Sequence, residues 1–200
     1  MFAVRSSGIE MASVSEEVVR EYFEINEFSV KVHRKFLLKS AERDELDEVD
    51  LVATNLKNVE NRPNNILLNK QDIQGIERAI VGVRGWHSET FSLARLKSSP
   101  EIFNLALLNE KKVSENFFKG QSFDRILVVP SLPADPGLKA KVLQTLQEKG
   151  LDFVLEFKTI LEELIDHVQI NRNYAESPVL QILRILKRYD LIRDYQMELF

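Results

Sequence analysis

The order in which the apolar residues change their spacing along the chain is the strongest constraint on its fold. From Val14 to Phe23 apolar residues recur at helical intervals, which predicts an amphipathic helix. From Phe28 to Leu38 apolar and polar residues begin to alternate, as in a strand with one buried face. Further strands are predicted over residues 48–53 and 79–84. The first half of the chain is therefore predicted to be a helix followed by three neighbouring strands.

Beyond residue 90 the pattern alternates between helix and strand. Strands are predicted over residues 123–129 and 151–157, and helices over 100–119, 138–149, 160–168 and 178–189. Three neighbouring strands followed by alternating strands and helices predict an α/β fold with a mixed sheet. In an all-parallel sheet, strands and helices would alternate along the whole chain. We expect a mixed sheet of about five strands flanked by helices. Residues 55–75 contain Asn, Pro and Gly among scattered apolar residues, typical of a loop with one short helical turn.

The two ends of the chain differ from this core. Residues 1–12 have no regular pattern and are predicted to be irregular. Ser13 and Glu16 have the spacing of a capping box, which places the start of the first helix there. The predicted division is an α/β core over 13–168 and a C-terminal helical appendage over 169–200.

Composition excludes several classes of protein. The chain has no cysteine, which rules out disulfides and thiolate metal sites. A formal net charge of −4 argues against non-specific coating of nucleic acid, although a local basic patch remains compatible with binding. No apolar run approaches the ~20 residues of a membrane helix, and the N-terminus lacks the apolar segment of a signal peptide. We therefore expect a cytoplasmic protein without a membrane partner.

Metal-dependent hydrolysis of a phosphodiester needs carboxylates that converge on the ion, and four segments of the chain bear on such a site. The relevant segments are Glu16-Glu17-Val18-Val19-Arg20-Glu21-Tyr22-Phe23, Phe28-Ser29-Val30, Asp47-Glu48-Val49-Asp50-Leu51-Val52-Ala53 and Ile80-Val81-Gly82-Val83-Arg84. Together they resemble the core of the PD-(D/E)XK nuclease superfamily, in particular its Holliday-junction-resolvase-like and small bacterial endonuclease-like members. The resemblance covers roughly residues 13–90 and implies a restriction-endonuclease-like three-layer fold.

The resemblance also implies the positions of a catalytic site. Glu16 corresponds to the family's helix glutamate and Asp50 to its metal-binding aspartate. Gly82 stands in the place of the second acid and Arg84 in the place of the lysine. Glycine supplies no metal ligand, and arginine keeps its proton at ordinary pH and differs in shape from a lysine ammonium. We therefore expect a degenerate site at Glu16, Asp50, Gly82 and Arg84, with no cofactor or a weakly bound Mg²⁺ on Asp50 and Glu16.

Other carboxylates are candidates to replace the missing acid. Glu48 is expected on the same strand face as Asp50, two residues earlier. Glu89 lies just past the third strand, and Glu17 and Glu21 lie on the helix.

Two of the candidate site residues also have structural interpretations. Glu16 could serve only as a helix cap. Asp50 could form an ion pair with Arg84 across the sheet, since a carboxylate in an apolar strand needs a partner.

A nucleic-acid surface is predicted beside the site. Lys31, Arg34 and Lys35 belong to a basic stretch that could track phosphates, or protect an edge strand from pairing. Trp86 and His87 are expected at the mouth of the cleft, where a Trp stacks on a base or covers the edge of the core.

The last predicted helix is amphipathic with a basic side, and three roles fit it. The simplest is a terminal helix packed on the core. The alternatives are a dimerisation helix, which would make the chain a homodimer, and a recognition helix.

Three functions follow from these residues. The first is a nuclease-derived protein that has lost hydrolysis and retains a binding or regulatory role involving DNA. The second is an active Mg²⁺-dependent DNA endonuclease with a rearranged carboxylate site. The third is a protein-interaction module without nucleic acid, which the acidic net charge favours.

Overall fold

A computed structural model of the chain describes residues 14–33, 45–57, 59, 61–85, 87 and 90–192. Its centre is a five-stranded sheet in which the strands follow one another in chain order. The strands are β1 (Phe28–Val32), β2 (Leu51–Asn55), β3 (Arg78–Val83), β4 (Asp124–Val129) and β5 (Phe153–Glu156). β1, β2 and β3 pair antiparallel, whereas β3, β4 and β5 pair parallel. The predicted α/β class with a mixed sheet is confirmed.

Seven α-helices surround the sheet within the described ranges. They are α1 (Val14–Ile25), α2 (Leu93–Ser98), α3 (Asn104–Leu107), α4 (Glu110–Phe118), α5 (Pro136–Glu148), α6 (Phe157–His167) and α7 (Pro178–Arg188). Single turns of 3₁₀ helix occur at Glu45–Glu48, Asp72–Gly75 and Pro100–Phe103. The turn at Asp72–Gly75 confirms the one short helical turn expected in the loop over 55–75.

The helices cover both faces of the sheet because successive strand residues point to opposite sides. Leu51, Ala53 and Val81 pack in one apolar cluster, and Val52 and Ile80 in the other. The first cluster includes buried residues of α1, α6 and α7: Val19, Tyr22, Phe23, Ile160, Leu164 and Leu180. The second includes buried residues of α2, α3, α4 and α5: Leu96, Leu105, Val113, Val142 and Leu146.

The region between β3 and β4 differs from the prediction. The single helix expected over 100–119 is broken into a 3₁₀ turn, α3 and α4. The break falls at Leu108 and Asn109, whose extended backbone lets the Asn109 side chain accept a hydrogen bond from the Lys112 N–H and cap α4. α2 was not predicted, although Ser92 caps it in the same way.

The second strand begins later than predicted, which changes the position of Glu48. The strand starts at Leu51, and Glu48 belongs to the preceding 3₁₀ turn. In that turn the Val49 N–H donates to the Leu46 carbonyl at 3.0 Å. The prediction that Glu48 lies on the strand face beside Asp50 is therefore wrong. The first strand ends at Val32, while residues 34–38 of its predicted range and Ser13 of the capping box are outside the described residues.

Candidate functional site

Asp50 and Arg84 meet at one end of the sheet, where β2 begins and β3 ends. The antiparallel register pairs Leu51 with Val81, so its extension by one residue sets Asp50 opposite Gly82. The predicted pairing of these two segments is confirmed. Because β3, β4 and β5 are parallel, their carboxyl ends lie at this same edge.

The Asp50 carboxylate is buried and engaged by the main chain. Asp50 is only 4% exposed, and its Oδ2 accepts a hydrogen bond from the Val83 N–H at 2.7 Å. The backbone of Asp50 is also held, since its N–H donates to the Val81 carbonyl at 3.0 Å and its carbonyl accepts from the His33 N–H at 2.9 Å. The position of this carboxylate is thus set by two neighbouring strands.

Arg84 lies between two carboxylates. Its Nη1 is 3.6 Å from Asp50 Oδ2 and its Nη2 is 3.8 Å from Glu48 Oε2. The other oxygen of Glu48 accepts a hydrogen bond from Asn104 Nδ2 on α3 at 2.9 Å. We refer to Asp50, Arg84, Glu48 and Asn104 as the Arg84 cluster. Its guanidinium supplies the positive charge that the two carboxylates require, because buried charges are stable only when they are paired.

The space in front of Gly82 is occupied by α3. Gly82 is buried, and a Cβ built on it would lie 3.1 Å from Leu105 Cδ2 and 3.6 Å from Arg84 Nη1. A contact of 3.1 Å is tight enough that Leu105 must move to admit any side chain. Where the resemblance calls for a second acid, this chain therefore has a leucine in contact with a glycine.

The helix carboxylates belong to the other side of the sheet. α1 packs in the cluster with Leu51 and Val81, opposite the face of α3. Glu17 and Glu21 face Arg20, at 3.2 and 3.6 Å from its Nη2. Glu16 is half-buried on the same helix. Among the residues that the structure describes, no group of three or more His, Asp or Glu side chains could hold a metal ion.

His87 lies against the start of α1. Its Nε2 is 3.1 Å from Ser15 Oγ, and its ring meets the Phe157 ring edge-on at 4.4 Å between centroids. A Cβ at Gly85 would be 2.8 Å from Ser15 Oγ, so the absence of a side chain there permits the close approach of α1. These contacts give His87 a packing role that the sequence did not indicate.

The remaining predicted DNA-contacting residues are only partly described. Lys31 is exposed on β1, which is an edge strand, and it pairs with Val52 in the register. It therefore projects on the same face of the sheet as Asp50. Arg34, Lys35, Trp86 and the substitute acid Glu89 lie outside the described residues.

One carboxylate at this edge of the sheet was missed. Glu156 ends β5, and its Oε1 accepts a hydrogen bond from the Leu132 N–H at 2.9 Å. Its Oε2 lies 2.7 Å from Lys139 Nζ. An acidic residue at the carboxyl end of a parallel strand was the signal that could have identified it. Like Asp50, Glu156 links the main chain to a cation.

Three carboxyl groups with a raised pKa lie outside the Arg84 cluster, and two of them join separate elements, while the third is Glu24 on α1. Burial raises the pKa of Glu163 on α6, although a hydrogen bond from Asn26 opposes the rise. Burial likewise raises the pKa of Asp124, against the opposing charge of Arg62. Glu163 and Asp124 hold elements together: Asn26 Nδ2 joins Glu163 to the turn after α1 at 2.8 Å, and Arg62 Nη2 joins Asp124 to the loop after β2.

Comparisons of the chain with protein-family models, with curated proteins and with solved structures found no match. Within the described residues, no helix has the length and apolar character needed to cross a bilayer. The geometry of the Arg84 cluster is therefore the main basis for a functional interpretation.

Proposed function

We propose that this chain is a nuclease-superfamily-derived domain in which an ion-pair cluster has replaced the hydrolytic site, and that its remaining role is to bind DNA. The observation that carries the proposal is the position of Arg84. Its guanidinium lies 3.6 Å from Asp50 and 3.8 Å from Glu48. In the nuclease family that this chain resembles, a lysine and two acids would hold a metal and a water at the corresponding positions.

The contacts of Asp50 argue against hydrolysis. Mg²⁺ needs several oxygen ligands and open positions for water. The Oδ2 of Asp50 already accepts the Val83 N–H and faces a guanidinium, and arginine cannot give up its proton to make room for a metal. We expect a dissociation constant for Mg²⁺ in the millimolar range or weaker, which corresponds to a binding free energy of about 4 kcal/mol or less. An active endonuclease would require Asp50 and Glu48 to release Arg84.

The DNA ligand is supported by the surface next to the cluster. Lys31 is exposed on the edge strand and projects on the face of Asp50. A net charge of −4 does not exclude such a site, because local cations govern contacts with phosphates.

Fluorescence anisotropy with a labelled DNA duplex tests the binding role. We expect binding at ~50 mM salt that weakens as salt rises, because phosphate contacts release counterions. Lys31→Glu should weaken binding by roughly threefold to tenfold, since it removes a phosphate contact and adds a repulsive charge. Lys141→Glu, an equal charge change at an exposed position of α5, is the matched control and should have no such effect.

Plasmid nicking with Mg²⁺ or Mn²⁺ tests the loss of hydrolysis, and we expect no cleavage. Cleavage that is abolished by Asp50→Ala would make the active endonuclease the better interpretation. A complete lack of DNA binding at low salt would contradict the proposal and favour the protein-interaction module.

A further inference from the structure

Helix α7 is apolar on two opposite faces. Leu180 is 6% exposed and packs with Leu183 on the core of α1 and α6. On the outside, Ile182, Ile185 and Tyr189 are 58%, 44% and 72% exposed. We call these three residues the outer stripe, because their spacing sets them on one side of the helix. A helix that is apolar on both sides is expected to be covered on both sides, and the described part of the chain covers only one.

Two arginines border the outer stripe. A pocket of about 420 Å³ is lined by Ile170, Ile185, Tyr189 and the side chains of Arg184 and Arg188. Neither arginine forms an ion pair with a described residue, and Arg184 Nε is buried without a hydrogen-bond partner among them. Lys187 of the same helix behaves differently, since its Nζ donates to the Val168 carbonyl at 2.7 Å. The edge of the stripe thus carries two guanidinium groups that lack a counter-charge within the described chain.

We infer that the outer stripe and its arginine edge form a docking site for an acidic amphipathic helix of a partner protein. Apolar residues of such a helix would cover Ile182, Ile185 and Tyr189, as in other complexes where a helix lies in an apolar groove. Its carboxylates would pair with Arg184 and Arg188, because the planar guanidinium binds carboxylates with two parallel hydrogen bonds.

Charge and the need to cover the apolar stripe disfavour the other possible occupants of this site. In an antiparallel two-fold pairing of two α7 helices, the arginine edges of both copies fall on the same side of the contact. Four guanidinium groups would then meet, which is unfavourable for a second copy of this chain. DNA would use the arginines but leave the apolar stripe uncovered. An anionic membrane would be attracted by only two arginines, fewer than the roughly four to eight basic residues that are typical of sites for anionic lipids.

Two synthetic helical peptides test the inference. Both carry the same apolar stripe, bordered by glutamates in one peptide and by lysines in the other. With the full chain, anisotropy should show micromolar binding of the glutamate peptide and at least tenfold weaker binding of the lysine peptide, a difference of ~1.4 kcal/mol or more. Arg184→Glu with Arg188→Glu should reverse this preference, which a loss of folding could not do.

Substitutions in the stripe provide the second arm. Ile185→Ser with Tyr189→Ser should weaken binding of both peptides, while circular dichroism remains that of the wild type because both residues are exposed. Leu107→Ser is the matched control, since Leu107 is 74% exposed on α3. Its peptide binding should equal that of the wild type.

Several outcomes would overturn the inference. Equal binding of the two peptides, or no binding of either, would exclude an acidic helix. Sedimentation showing a dimer that Ile185→Ser disrupts would assign the stripe to a second copy. Binding to phosphatidylserine vesicles that depends on Tyr189 would assign it to a membrane. Peptide binding that appears only after removal of residues 193–200 would assign it to that segment of the chain.

Discussion

At the scale of single residues, Asp50 serves the main chain and the ion pair at once. Its carboxylate accepts the Val83 N–H at the end of the β2–β3 pairing and faces Arg84. A buried N–H that loses its acceptor costs about 1–3 kcal/mol, and a buried arginine that loses a partner costs more. Asp50 is therefore needed for stability even if no metal binds.

The first prediction concerns this double role. Asp50→Ala should lower the free energy of unfolding by roughly 2–4 kcal/mol, because it removes both the acceptor and the charge. Asp50→Asn should cost about half as much, since an amide oxygen still accepts the Val83 N–H. Urea denaturation measures both, with Asp190→Asn as an exposed control. If both Asp50 variants were as stable as the control, Asp50 would have no structural role.

The second prediction is a pH dependence at Glu163. Burial raises its pKa above the ordinary value of 4.5. Its contribution to stability is therefore fully present below pH 4.5 and is lost as the pH rises through the pKa of the folded state. Glu163→Gln keeps an acceptor for Asn26 Nδ2 and removes the charge, so it should stabilise the protein at neutral pH. This gain in stability should disappear below pH 4.5, where the carboxyl group of the wild type is also uncharged.

Urea denaturation at a series of pH values measures this effect. Glu176→Gln, at an exposed position, should leave the pH dependence of stability unchanged. A Glu163→Gln variant that is less stable than the wild type at neutral pH would show that the negative charge is favourable in the folded protein.

At the scale of elements, the contact between β3 and α3 decides whether a second acidic side chain can be accommodated at position 82. Leu105 is fully buried and lies where a side chain at position 82 would begin. A new carboxylate there must displace an apolar side chain. Overpacking of a core typically lowers the free energy of unfolding by about 1–3 kcal/mol. The glycine and the leucine are thus matched to each other.

The third prediction tests the proposed derivation from a nuclease and takes this contact into account. Gly82→Glu with Arg84→Lys should destabilise the protein without tighter metal binding, because Leu105 blocks the new carboxylate. Adding Leu105→Ala should provide the space, and calorimetry should then show Mg²⁺ affinity raised at least tenfold, or ~1.4 kcal/mol. Arg84→Lys alone should leave the Mg²⁺ affinity unchanged, since it adds no ligand. A folded triple variant with unchanged Mg²⁺ affinity would contradict a former nuclease site.

At the scale of the whole molecule, α7 shares the core of the α/β domain. Leu180 and Tyr174 belong to the same apolar cluster as α1 and α6. The hydrogen bond from Lys187 Nζ to the Val168 carbonyl adds a polar link at 2.7 Å. Because buried contacts couple the segments that make them, α7 should unfold together with the sheet.

The fourth prediction tests this coupling. Leu180→Ala should lower the free energy of global unfolding by about 2–4 kcal/mol, since it leaves a cavity in the shared core. Ile182→Ala, at a 58% exposed position of the same helix, should change it by less than about 0.5 kcal/mol. Urea denaturation followed by circular dichroism and by hydrogen exchange should give one transition. Separate unfolding of α7 at low urea would make it an independent appendage.

The sequence by itself determined the order of the elements, the mixed sheet and the pairing of the segments that carry Asp50 and Arg84. The order of the elements and the mixed sheet follow from hydrophobic spacing and from the turn residues, which are local properties of the chain. The pairing of the two segments was expected from the family resemblance. The same local patterns did not reveal the break at Leu108 and Asn109, because the apolar spacing of α3 and α4 resembles that of one continuous helix.

Only the tertiary structure decided what surrounds the candidate site. In the folded protein Glu48 lies in a turn beside Arg84, and Leu105 packs against Gly82. Helix α1, which carries Glu16, lies on the opposite face of the sheet. Asn104 and Glu48 are 56 residues apart, and no local pattern links them. Which side chains meet at such distances depends on how the layers pack, and a cavity is filled by whichever neighbour fits its shape.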